Sequence, residues 1–131
     1  MILLIAVSLF GCAGAGDYRT EALPGGYEIW RNSAHDVLLV MPDETGTAAR
    51  TVIESEIIQV CMNERFICVQ QKDYDPKAGA GEGEISFYVL DSQSGTVSGP
   101  FDEEGYLSFL TENGIADLTG WTDPDDLQKA K

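Results

Sequence analysis

The chain has 131 residues, enough for one domain with a modest core. Its 22 acidic residues outnumber 8 basic ones, leaving a formal charge of −14 with no basic cluster. That balance excludes a role built on phosphate contacts to nucleic acid, and it excludes adhesion to anionic headgroups by charge.

The first element is a largely apolar run, Ile2 to Phe10, that leads into Leu9-Phe10-Gly11-Cys12 and then into small residues. Crossing a hydrocarbon core takes roughly 20 helical residues, so a run this short cannot span it and fits the apolar part of an export signal instead. An aliphatic residue three before a cysteine and a small one just before it resemble the lipobox of bacterial lipoproteins. No Lys or Arg precedes the run, unlike the usual signal. On this reading residues 1–11 are a lipoprotein signal peptide and Cys12 is the lipidated residue. Residues 12–26 are then a lipidated tether, rich in glycine and alanine at its start. Two or three acyl chains on Cys12, at about 0.8 kcal/mol per buried methylene, hold a protein to a membrane where one does not. The expected location is the outer face of the cell membrane or the outer membrane, with Ala13 rather than Asp after the cysteine favouring the latter.

Pro24-Gly25-Gly26 signals a turn. Two β-type runs follow, Tyr27–Arg31 and Val37–Met41, separated by the turn chemistry of Asn32 to Asp36. Residues 43–50 read as a loop and Thr51–Glu54 as the start of a third strand. Ile57–Met62 and Phe66–Gln71 form a hairpin; with Glu64-Arg65 central in its turn, Cys61 stands directly across from Cys68. In an exported protein that pair is a candidate disulfide, and two buried free thiols are the alternative. Directly opposed Cβ atoms lie roughly 4.5–5.5 Å apart, wider than a disulfide's roughly 3.5–4.5 Å, so the bond needs a favourable pairing site.

The stretch from Lys72 to Glu84 is rich in glycine and acid. Asp73, Asp75 and Glu84 match three positions of a calcium-binding EF-hand loop. Lys77 and Ala78 stand where that loop needs a ligand and a glycine, so the segment reads as a solvated acidic loop. Ile85–Asp91 is the strongest strand signal in the chain, and Ser92 to Gly95 turn it back into Thr96–Ser98. After Gly99-Pro100, Asp102 caps a helix whose apolar face is Tyr106, Leu107, Phe109 and Leu110, and Asn113-Gly114 stops it. Residues 27–121 thus form a single β-rich globular domain and 122–131 a polar tail. The expected fold class is α+β, mostly β: an antiparallel β-meander sheet with one C-terminal helix packed on it.

The pieces with lipobox, PGGYEIWRNS, RFICVQQ, FYVLDSQSG and GPFDEEGYLSFLTENGI, in that order, resemble a family of small bacterial lipoproteins carrying a domain of unknown function. The resemblance implies an exported, membrane-anchored single domain, and it transfers no catalytic or binding residue. The residues themselves agree on chemistry. His35 is the only histidine and falls in a turn with Ser33 and Asp36; no nucleophile elbow, metal-ligand spacing or phosphate loop is present in the sequence. No catalytic residue, cofactor or metal is therefore assigned. The leading reading is a non-enzymatic envelope lipoprotein that meets a protein partner, with a small acidic inhibitor or immunity-type protein capping a basic partner as the alternative and a hydrolase least favoured.

Overall fold

The computed structural model describes residues 18–20, 23–72 and 84–127. The expected signal peptide, Cys12, most of the expected tether, the acidic stretch 73–83 and residues 128–131 lie outside the described residues. Strands β1 (Tyr18–Arg19), β2 (Glu28–Ser33), β3 (Asp36–Pro42) and β4 (Ala49–Ile53) form one antiparallel sheet in chain order. Strands β5 (Ile57–Met62), β6 (Phe66–Lys72), β7 (Ile85–Asp91) and β8 (Val97–Phe101) form a second, also antiparallel and also in chain order. Helix α1 (Glu103–Glu112) follows. The fold is mostly β with one helix near the C-terminal end, as expected, but the meander is divided into two sheets.

The division follows from where apolar residues fall. Ile29, Val37, Leu39 and Ile53 of the first sheet share one core with Ile57, Val60, Ile67, Val69 and Leu90 of the second. The alternate residues of the second sheet, Cys61, Cys68, Phe87 and Val89, form another core with Tyr106 and Leu110 of the helix and with Ile115 and Leu118 beyond it. Successive side chains of a strand point to opposite faces, so the second sheet is apolar on both and must be covered on both. It is the middle of three layers, between the first sheet and the helix.

The helix is built as its sequence suggests. The Asp102 carboxylate accepts from the Gly105 N–H at 2.7 Å, and Glu103 and Glu104 lie in the positive first turn. Gly114, at φ +71°, ends it in the left-handed region, and the Ile115 N–H returns to the Leu110 carbonyl. Tyr106 is fully buried, stacked on Phe87 with ring centroids 5.0 Å apart, and its hydroxyl donates to the Leu118 carbonyl at 2.8 Å.

Structure extends past both expected limits of the domain. Tyr18 and Arg19, assigned above to the tether, pair with Arg31 and Trp30. The buried Thr20 hydroxyl accepts the Ile29 N–H at 3.0 Å. At the other end Val60 and Thr122 exchange both backbone hydrogen bonds at 2.8 Å, and Pro124 in the following 3-10 turn is buried. β8 also runs through Gly99-Pro100, which the sequence suggests as its end. The β7–β8 register shifts between Phe87 and Val89, and Gly99 sits at φ +129° against this irregularity. A Cβ there would lie 2.7 Å from the Phe87 carbonyl oxygen and 2.9 Å from the Tyr88 ring. Gly99→Ala is therefore expected to destabilise the fold by about 2 kcal/mol through backbone strain and displaced neighbours. Urea unfolding followed by tryptophan fluorescence checks this, and a midpoint equal to that of the parent chain contradicts the assignment.

Candidate functional site

A groove of about 430 Å³ opens where the β5–β6 turn, the β7–β8 turn and the end of α1 converge. Phe66, Val89 and Phe109 supply its apolar surface, and Thr96, Ser98 and Asn113 its polar wall. Each contributing turn is held locally. Asn63 Oδ1 accepts from the backbone N–H groups of Arg65 and Phe66, which fixes Glu64-Arg65 as the two central residues. Asp91 Oδ1 accepts from the N–H groups of Gln93 and Ser94 and closes the next turn. The Ser92 N–H donates to the Arg65 carbonyl at 2.9 Å and ties the two turns together.

Across the groove's rim Arg65 grips Asp91 through two bonds, Nε to Oδ1 at 2.9 Å and Nη2 to Oδ2 at 2.7 Å. The Arg65 guanidinium, backed by the turn N–H groups, holds the Asp91 carboxyl well below the usual carboxylate range. The guanidinium also lies 5.1 Å from the centre of the Phe66 ring. What results is a preformed recess: an aromatic floor, neutral hydroxyl and amide groups, and one ion pair already locked in bidentate geometry.

The sequence-derived candidates fall elsewhere. Cys61 and Cys68 stand in register, as the two-residue turn predicts, and both are buried free thiols. Val60 directs its N–H and carbonyl outward to Thr122, so its neighbour Cys61 directs its own toward β6. The cysteines therefore occupy a hydrogen-bonded pair, where opposed Cβ atoms sit at the wide end of the range and a disulfide fits least well. Burial pushes the Cys68 thiol up to about 11 and raises that of Cys61 as well.

His35 Nδ1 lies 3.4 Å from Glu56 Oε1. Ser55 is also near, but its hydroxyl donates to the His35 backbone carbonyl and accepts from the Val37 N–H at 3.2 Å. These bonds serve the β2–β3 turn and the start of β3. Cys12 and the acidic stretch 73–83 lie outside the described residues. Among the described residues no group of three or more His, Cys, Asp or Glu could hold a metal ion, and no helix is long and apolar enough to cross a membrane.

Sequence reasoning missed the groove. Asp91 was legible as the end of a strand and Arg65 as part of a turn, but nothing local joins residues 26 apart. A family model described as a protein of unknown function (DUF3997) matches residues 24–119. No curated protein and no solved structure matches the chain.

Two measurements follow from this geometry. With Cys12→Ser removing the third thiol, the native chain should show almost no reaction with a disulfide reagent at pH 8. Both remaining thiols are buried and raised by burial, and Cys68, titrating near 11, is about 0.1 % ionised there. Denaturant should then release two thiols; release of none would mean a disulfide. The second concerns Asp91. A carboxyl whose pKa is lowered on folding stabilises above its unfolded value, near 4, and loses that contribution as pH falls towards the folded one. Asp91→Asn should lower the melting temperature at pH 7, and the gap to the parent should narrow steadily below about pH 4. A gap independent of pH would show that the carboxylate charge is not what holds the turns.

Proposed function

We propose that this chain, which belongs to the family of proteins of unknown function DUF3997, is a lipid-anchored envelope protein whose domain binds a partner without catalysing a reaction. The observation that carries the binding reading is the groove between the two turns and α1. Its charged groups are committed to each other and its hydrogen-bonding side chains are neutral, so it is equipped to recognise rather than to transfer protons. In catalytic sites titratable groups are usually poised near neutral pH; here Arg65 holds the Asp91 carboxyl down, away from that range.

The anchor reading is supported by the sequence at Leu9-Phe10-Gly11-Cys12. Among the described residues pairing starts at Tyr18, six positions after Cys12, and the domain follows it. A mature chain from Cys12 onward retains every described strand and the described helix.

The decisive experiment follows Cys12 in cells. A chemically tagged palmitate analogue should label the parent chain, and the label should disappear in Cys12→Ala, which should remain uncleaved at its larger mass. Equal labelling of both chains, or none of the parent, would remove the anchor. For the groove, Phe109→Ala and Asn113→Asp should reduce capture of crosslinked partners at least tenfold while leaving the fold intact by circular dichroism.

A further inference from the structure

The outer face of the first sheet is the feature that neither core uses. Ile29, Val37 and Leu39 point into the shared core, so Trp30 and Leu38, which stand opposite each other in register, point outward. Both are only partly covered. Arg19, opposite Trp30 on β1, lays its guanidinium 3.9 Å from the centre of the indole ring and donates from Nη1 to the Gly46 carbonyl at 2.7 Å. The side chain is exposed, and its guanidinium has more N–H donors than that one carbonyl uses. The indole N–H donates to Glu28 at 2.7 Å. A tryptophan with its N–H satisfied, roofed by an arginine, has the amphipathic chemistry of a membrane–water interface.

We infer that this face, centred on Trp30, Leu38 and Arg19, rests on the lipid bilayer that carries the anchor, with Trp30 at headgroup level and Arg19 on lipid phosphate. The inference rests on the anchor reading above. Two observations choose the bilayer over other occupants. The first is reach: at about 3.3–3.6 Å per residue, six residues hold Tyr18 within about 20 Å of Cys12, and Tyr18 begins the edge strand that carries Arg19. The second is charge. The described residues from 18 to 53 contain three arginines, of which Arg31 is paired with Asp125, against four acids, whereas residues 102–117 contain five acids and no base. Near an anionic surface that asymmetry turns the first sheet inward and the helix layer outward. Charge does not attach the domain; it orients a domain that the lipid already holds. The groove beside α1 is then carried on the layer farther from the membrane.

The two tryptophans supply the test, because Trp121 lies in the other core, packed against Phe87 and Tyr106 beneath the helix. The chain from Cys12 onward, which retains every described residue, is coupled through the Cys12 thiol to a maleimide lipid in vesicles of phosphatidylglycerol and phosphatidylcholine. The coupling supplies the anchor chemically, so failure here is distinct from failure of Cys12 acylation in cells. With brominated lipids, Trp30 observed in Trp121→Phe should be quenched at least twofold more than Trp121 observed in Trp30→Phe. Should Trp121→Phe fail to fold, the parent chain against Trp30→Phe gives the same contrast. Arg19→Glu should remove at least half of the Trp30 quenching. Equal quenching of the two tryptophans overturns the proposal. So does an unquenched Trp30 that becomes shielded from acrylamide only as protein concentration rises, which would make the face a contact between two copies.

Discussion

Everything in this fold depends on a sheet that has no polar face. β5, β6 and β7 place Val60, Ile67, Val69 and Leu90 on one side and Cys61, Cys68, Phe87 and Val89 on the other, all of them buried. Water cannot cover either side without losing the main favourable term in folding, about 25 cal/mol for each Å² of apolar surface buried. The first sheet covers one side and α1 with the residues after it covers the other. A small domain with two separate cores exposes much of its chain at the margins, so the margins are tied by specific polar devices: Asp102 at the helix start, the Tyr106 hydroxyl on Leu118, and Thr122 on the free edge of β5. That last pairing also protects an edge that would otherwise offer unpaired N–H groups.

The groove is a consequence of the same arrangement. Where the central sheet ends in turns, the helix ends too, and neither covers the other completely. Phe66 and Phe109 remain half-buried there, and the Arg65–Asp91 pair spans the rim. An exposed ion pair of this kind contributes little by itself. Its value lies in joining two turns from different hairpins, each of which is already shaped by an Asn or Asp side chain on its own backbone. The outer face of the first sheet contrasts with this. It carries Trp30 of β2 and Leu38 of β3 outward, at a distance from the groove set by three layers.

Much of the secondary structure was legible because its signals are local. Ile57–Met62 and Ile85–Asp91 match their observed bounds, since β-branched and aromatic residues alternate between clear turn residues. The Asp102 cap and the Gly114 stop were legible for the same reason. Short polar pairings were not: Tyr18–Arg19 and Thr122 join the fold through backbone hydrogen bonds that leave no mark in side-chain pattern. The cysteines are a local case too. The Asn63 N–H donates to the Phe66 carbonyl across the two-residue turn, and hydrogen-bonded pairs alternate from there. Both the register of Cys61 with Cys68 and their place in a wide pair therefore follow from the turn.

By itself the sequence determined strands, turns, helix and the antiparallel order of neighbours, because each rests on steric preferences within a few residues. It also puts an apolar run and Cys12 ahead of the domain. Only the tertiary structure decided that the meander breaks into two sheets, that the second becomes a middle layer, and that Arg65 and Asp91 meet over an aromatic floor. Those outcomes turn on which apolar faces find each other across long stretches of chain, and that choice is made by burial of the whole rather than by any local preference.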